Sequence, residues 1–353
     1  MSEVLADHTT LRLGGPAGRW VEATTESELI AAVAEADASG TPALLVSGGS
    51  NLVVADEGFD GTVIHVATSG VVADVDCPDD IACLGAVTLT AAAGENWDDL
   101  VARAVESGWA GIESLSGIPG AVGSTPIQNV GAYGQEVSQT IARVRTWDRV
   151  DRTQRTFTAA ECDFSYRHSR FKADPTRYVV LEVSFLLKQG SLGMPVTYAE
   201  LARTLDVPLD EGPRSRAPMT DVRQAVLGLR RGKGMVLDAS DHDTWSAGSF
   251  FTNPILTAAV ADALPSAAPR WSQPDGTVKT SAAWLIDHAG FGKGFALPGS
   301  GVSLSTKHAL ALTNRGSGTT AELLDLARHI RAGVETAYGI TLVNEPVVVG
   351  ATL

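Results

Sequence analysis

Three short stretches of this sequence hold the residue types that bind phosphates. They are Ser47-Gly48-Gly49-Ser50-Asn51, Gly94-Glu95-Asn96-Trp97 and the long loop Pro119–Gly134, PGAVGSTPIQNVGAYG. Glycine opens backbone conformations closed to other residues and lets main-chain amides approach a ligand closely. Successive amides in such turns form concavities for phosphate oxygens. Ser47, Ser50, Ser124 and Thr125 add hydroxyl donors, while Gln128 and Asn129 add both donors and acceptors. Each loop alone reads more readily as a tight turn than as a phosphate site, but three in one half of the chain bring the two readings level, and a loop as long as Pro119–Gly134 points to a function. None is followed by the Gly-Lys-Ser/Thr of a Walker A loop. Gly117–Gly123 has the wrong spacing for a dinucleotide GxGxxG and places Pro119 where an amide is needed.

Net charge is −14, so the long-range field disfavours a nucleic acid or an anionic membrane as partner. Against that background Arg214, Arg216, Arg223, Arg230, Arg231 and Lys233 face a single acid, Asp221. This local reversal suits docked phosphates, and a solvated helix face with scattered charge is the alternative. Cys77, Cys83 and Cys162 form no CxxC pair, so neither a metal site nor a disulfide framework is expected. Each is expected to be a small buried apolar residue. MSEVLADHTTLRLGG carries neither a basic leader nor an apolar core, and the longest apolar stretches, such as Tyr178–Leu187, are too short to span a bilayer. The expected compartment is the cytoplasm.

Short strands and helices must position these loops. Glu26–Asp37 has a helical apolar face, with Ser27 as the expected N-cap, and Ala43–Val46 reads as a buried strand leading into Ser47–Asn51. Val53-Val54, Gly61–Val66 and Val87–Ala93 follow as strands, and a helix is expected over Asp98–Ser107, stopped by Gly108. Ile141–Trp147, Arg155–Thr158 and Tyr178–Leu187 read as strands of a larger sheet. The prolines of Pro208–Pro218 mark a domain boundary. Beyond it come helices at Thr220–Arg231 (Thr220 as cap), Ser281–Ala289 and Thr320–Tyr338, then a strand pattern, Thr341–Val349, broken at Pro346.

PGAVGSTPIQNVGAYG, FSYRHSRFK at Phe164–Lys172 and AGSFFTNP at Ala247–Pro254 occur in this order, with SGGSN, AGENW, AAWLID and NEP in support. Their order and spacing resemble the UDP-N-acetylenolpyruvoylglucosamine reductase (MurB) family over nearly the whole chain. The resemblance implies an α+β protein: a two-lobed FAD-binding unit of the vanillyl-alcohol-oxidase type plus a separate α/β substrate-binding domain. The FAD unit would be residues 1–218, in lobes of about 1–70 and 71–218 completed by 339–353, with 219–338 as the substrate domain. It also implies an oxidoreductase of peptidoglycan synthesis, acting as a monomer with FAD, with NADPH as reductant and a UDP-sugar as substrate. The tyrosine segment VTYAEL, with Tyr198, resembles the substrate-covering loop of one type within the family.

Roles carry over residue by residue as what the resemblance implies. Ser249 matches the proton donor, and Arg167 and Glu345 match groups that stabilise an enolate-like intermediate. A planar, permanently charged guanidinium suits that task. A glutamate there needs to be paired with Arg167 or protonated. Tyr198, Lys233 and Asn253 match holders of the UDP-sugar diphosphate, while His308 stands where the family varies and would only line the pocket. Ser47, Gly48, Gly49, Ser50, Asn51, Gly120, Gly123, Ser124, Gln128, Gly131 and Ala132 would hold FAD, mostly through main-chain amides, with Arg230 near the flavin. Thr252 stands where the family usually has Lys, and Val347 where it often has an acid; if either charge carries NADPH or substrate affinity, another residue such as Lys279 or Lys307 has to compensate. Two other readings stay open: an FAD-linked oxidase or dehydrogenase of the same fold, and a non-catalytic nucleotide-binding protein.

Overall fold

The near-continuous apolar run YVVLEVSFLLKQ builds the centre of the largest sheet. In the computed structural model, which describes residues 3–75 and 85–353, this run is the strand Tyr178–Gln189. It is flanked by Ile141–Asp148 and Ala86–Ala92, with Thr153–Thr158 and Val71–Asp74 outermost, and every one of these pairings is antiparallel. A strand buried on both faces needs cover. The helix Trp97–Glu106 brings Trp97 and Leu100 into the same core as Phe185 and Leu187. A smaller sheet orders Ala17–Ala23, Phe59–Val66 and Ala43–Val46, the last two parallel, with the helix Glu26–Ser39 between its first and last strands in sequence. Leu29, Val33 and Ile64 join that core.

Packing divides the chain into two units: Met1–Gly18, Gly49–Asp60 and Gly232–Leu353, and Arg19–Gly48 with Gly61–Arg231. In the first unit the helix Thr320–Tyr338 packs with Ala282–His288 and the hairpin Val302–Leu304/Leu312–Asn314 around Phe250, Phe251 and Leu285. The Asp56 carboxylate accepts from the amides of Thr320 (2.7 Å) and Ala321 (2.9 Å), an acid at a helix N-terminus where the dipole favours it. A three-stranded sheet, Ile255–Leu256, Val278–Thr280 and Arg270–Ser272, lies in the same unit.

The α+β class agrees with the expectation, and the details differ instructively. The helix cap is Thr25 rather than Ser27, because only Thr25 has a glutamate three residues on. Glu28 and Thr25 satisfy each other's amides as a capping box. Thr220 lies inside a helix that starts at Met219. Of the expected strand Thr341–Val349 only Val347–Val349 is regular, paired parallel to Leu52–Val54. The packing boundary falls at Arg231/Gly232 rather than at Pro208–Pro218. Val222 and Val226 of Met219–Gly232 are buried with Val196, Leu201 and Ala202, which keeps that helix in the larger unit. Cys77 and Cys83 lie outside the described residues. Cys162 is buried, and burial pushes its thiol up to about 12, which suits an inert packing residue.

One ion pair fixes the Met219–Gly232 helix. Asp98, in the first turn of Trp97–Glu106, takes both guanidinium nitrogens of Arg223 at 2.6 and 2.9 Å and the Gly117 amide at 2.6 Å. Burial works against this carboxylate, but Arg223 and the amide outweigh it and hold its pKa below the usual range. Stability from such a group is complete above its unfolded pKa and is lost as pH falls through the folded value. Asp98→Asn should cost about 1–3 kcal/mol at neutral pH. The gap to wild type should close as pH drops below about 4. Thermal unfolding of both proteins across that range tests this, and a gap independent of pH would contradict it.

Candidate active site

Within the larger unit the glycine loops meet. A Cβ on Gly48 would stand 2.6 Å from the Gly120 Cα, so only two facing glycines allow this approach. The AGENW turn is zipped to the same segment: Gly120 O accepts from Trp97 N (3.1 Å), Glu95 O from Val122 N (2.9 Å) and Ala93 O from Gly123 N (2.8 Å). A Cβ on Gly123 would sit 2.5 Å from Ala93 Cβ. Ser124 and Thr125 turn their hydroxyls onto Ala121 O and Val122 O (2.7 and 2.8 Å), closing the 3-10 turn Val122–Ser124. Ser47 and Gly48 therefore adjoin Gly120 at the C-terminal end of the strand Ala43–Val46, the end of a parallel pair where ligands bind. This main-chain cradle fits a pyrophosphate-bearing cofactor.

Arg167 stands at the tip of a turn closed by Ser165 and His168, whose amides each donate to the other's carbonyl at 3.1 Å. Its φ of 53° is unusual for a residue with a side chain. The guanidinium donates to Asn129 O (3.3 Å) and Gly131 O (2.9 Å), and the Asn129 amide donates to Ser165 O (2.9 Å). Asn129 is also left-handed, with φ 42°, and buried. The pair Gly131-Ala132 forms a short ladder with Gln135-Glu136. Gln128 accepts from Lys172 Nζ at 2.8 Å, a partner to which the sequence analysis gave no role. Tyr198 precedes the helix Ala199–Leu205 and meets the Tyr133 ring edge-on, centroids 5.4 Å apart.

In the smaller unit two remote motifs lie side by side. Phe250 O accepts from Glu345 N (2.9 Å), Val343 O accepts from Thr252 N (3.0 Å), and Phe251 bridges Asn344. The SGGSN turn joins them: Asn51 O accepts from Val347 N at 2.9 Å, and the Asn51 amide lies 3.5 Å from Glu345 O. Gly49 is required there, since its φ is +56° and a Cβ would meet His8 O at 1.9 Å. Ser249 is half-buried and follows Gly248 (φ 73°), with Phe250 and Phe251 buried behind it. Thr252 also donates its hydroxyl to Val343 O (3.3 Å), so this departure from the family pattern serves the pairing. Asn253 accepts from the Ala282 amide at 3.0 Å, which commits its oxygen to a helix start.

The basic stretch resolves into separate tasks. Arg214 pairs with Glu211 at the surface, Arg216 donates to Gly193 O (2.6 Å) and Arg223 holds Asp98, so these three are not a phosphate cluster. Arg230, in the last turn of its helix, is desolvated and pushed down to about 10, with Tyr133 and Asp98 acting the other way. Lys233 follows the helix, and the next residue, Gly234, has φ +66°. His308 closes a turn, its amide on Ser305 Oγ (3.2 Å). Lys307 is paired with Asp241, which raises its pKa, so its charge is neutralised locally rather than standing in for the lysine replaced by Thr252. No group of three or more metal-ligating side chains occurs among the described residues.

The fold and the glycine cradle define a flavin-binding class: residues 17–156 match the FAD binding domain family. Residues 240–349 match the C-terminal domain of UDP-N-acetylenolpyruvoylglucosamine reductase. A reductase of that name from Cutibacterium acnes is 58% identical over 350 residues, covering 99% of this chain and 90% of the relative. One from Streptomyces avermitilis is 58% identical over 364 residues, covering 99% and 94%. The crystal structure of the Thermus caldophilus reductase superposes with a TM-score of 0.65 at 25% identity, covering 99% of this chain and 98% of that one. The chain belongs to the UDP-N-acetylenolpyruvoylglucosamine reductase family.

Gly48→Ala tests the cradle. Overpacking against Gly120 costs about 1–3 kcal/mol, or roughly ten- to hundredfold in FAD affinity if the turns must part to relieve it. Protein purified in limiting FAD should lose most of its visible flavin absorption. An undiminished band would rule out this cradle as the FAD site.

Proposed function

We propose that this chain reduces the enolpyruvyl ether of UDP-N-acetylglucosamine enolpyruvate to the lactyl ether of UDP-N-acetylmuramate, a step in making peptidoglycan precursors. One NADPH and one proton are consumed, and NADP+ is released. The enzyme acts as a cytoplasmic monomer. No helix among the described residues is long and apolar enough to cross a membrane. The observation that carries the reading is the pairing of Phe250–Thr252 with Val343–Glu345, which puts Ser249 and Glu345 on adjoining backbone segments within one unit. Family membership supplies the reaction.

Bound FAD supplies the hydride acceptor and donor that link the two substrates. Ser47, Gly48, Gly49, Ser50, Asn51, Gly120, Gln128, Gly131 and Ala132 hold it, Gly123 and Ser124, whose amides are taken by Ala93 O and Ala121 O, shape the turn beside it rather than donating to it, and Arg230 lies near the flavin. Lys233 contributes a point charge to the sugar diphosphate, while Tyr198 and the Asn253 NH2 give direction and His308 lines the pocket. Arg167 stabilises negative charge on the carboxylate side of the reduced enol ether, a role its permanent charge suits. Glu345 takes part only as a protonated donor or with its charge compensated by a cation, since a bare carboxylate would oppose that anion. Ser249 gives the proton that completes the reduction.

The two half-reactions separate these roles. In anaerobic stopped flow, NADPH should bleach the flavin band and the enolpyruvyl sugar should restore it. Bleaching without recovery would point to another oxidant. Ser249→Ala should leave bleaching near normal and slow recovery by about 10²- to 10⁴-fold. Equal loss of both phases would remove Ser249 from the proton-donor role.

A further inference from the structure

Arg167 adopts a backbone conformation that its sequence does not favour. At φ 53° the usual occupant of such a turn is Gly or Asn, whereas here the turn reads Ser-Tyr-Arg-His. Three sets of bonds hold it: the Ser165–His168 pair, the guanidinium on Asn129 O and Gly131 O, and Lys172. Lys172 Nζ donates to the carbonyl of Arg167 itself at 2.9 Å and to Gln128 Oε1 at 2.8 Å. Charge-assisted bonds of this kind are stronger than neutral ones.

Lys172 is itself firmly placed. Ser169, fully buried, caps the short helix Arg170–Ala173 by accepting from Lys172 N (3.2 Å), and its hydroxyl donates to Ile127 O (2.8 Å). Phe171, between them, packs edge-on against Phe157 (5.5 Å) and Tyr178 (6.0 Å) of the large sheet's core. The ammonium therefore reaches Arg167 O and Gln128 from a rigid base, and both belong to segments given roles in the reaction above.

We infer that Lys172 is a positioning residue: by holding the Arg167 carbonyl and the Gln128 side chain together, it keeps Arg167 in its left-handed conformation and presents the guanidinium in one orientation. This rests on the reading of Arg167 given under Proposed function. Without Lys172 the turn relaxes toward ordinary backbone angles and the guanidinium is no longer presented in place. A lysine that merely stabilised the unit would affect both half-reactions alike.

The test compares Lys172→Met, Lys172→Arg, Arg167→Ala and the Lys172→Met/Arg167→Ala double variant as FAD-loaded proteins, with the two half-reactions followed separately. Lys172→Met should slow flavin recovery by the enolpyruvyl sugar about ten- to hundredfold, with bleaching by NADPH within about threefold of wild type. Lys172→Arg, which keeps a charged donor, should regain most of the lost rate. The double variant should be no slower than Arg167→Ala alone, because a residue acting through another adds nothing once that other is gone. Additive losses, or equal losses in both half-reactions, overturn the inference while leaving the role of Arg167 intact. Unchanged recovery in Arg167→Ala overturns the underlying reading and the inference with it. Should the Met variant fail to fold, Lys172→Gln, which keeps an uncharged N–H donor, gives the same comparison with an intermediate loss expected.

Discussion

The antiparallel pairing of Phe250–Thr252 with Val343–Glu345 is the contact that holds two remote motifs of the smaller unit together. Backbone groups in a buried segment must find partners, and here the residues flanking Ser249 find theirs in the residues flanking Glu345. Phe250 and Phe251 anchor one segment in the core, and the parallel ladder of Val347–Val349 on Leu52–Val54 anchors the other. Ser249 and Glu345 inherit their placement from that frame. The Asn51 carbonyl, taken by Val347 N, ties the SGGSN turn to the same frame.

The larger unit solves a different problem, that of packing its turns backbone against backbone. Its means is the removal of side chains: Gly48 against Gly120, and Gly123 against Ala93. Glycines that allow such approach lose more backbone entropy on folding than other residues, a cost the surrounding core must offset. The core is the near-continuous apolar centre of the large sheet, with Trp97 buried against Phe185 and its indole N–H on Leu115 O. Rigid support and permissive loops are adjoining parts of one construction.

Charge is distributed on the same principle. The basic stretch after Pro213 stands out in an acidic chain, yet two of its arginines hold the fold: Arg216 on the Gly193 carbonyl, Arg223 on Asp98. Pinning the Met219–Gly232 helix in this way determines where Arg230 sits at its end. A charge run in a sequence thus mixes groups that build the site with groups that only fix the helix carrying it.

Much was legible in the residues themselves. Strands such as Ala43–Val46 and helices such as Thr320–Tyr338 follow from apolar period and capping residues, because those forces act within a few positions. The glycine loops, the serine motif and the order of FSYRHSRFK and NEP carried the family. What sequence could not give were partners distant along the chain. That Thr25 rather than Ser27 caps its helix was readable from Glu28; that Asn253 takes the first amide of the helix Ala282–His288, or that Lys307 is neutralised by Asp241, was not. The packing boundary at Arg231/Gly232 was hidden for the same reason, since prolines mark where a chain can bend and not which core Val222 and Val226 enter. Sequence determined which residues could do the chemistry, through local propensity and side-chain type. Only tertiary structure decided which of them share a strand pair, a turn or an ion pair, because those contacts are fixed by burial and backbone hydrogen bonding between segments far apart in the chain.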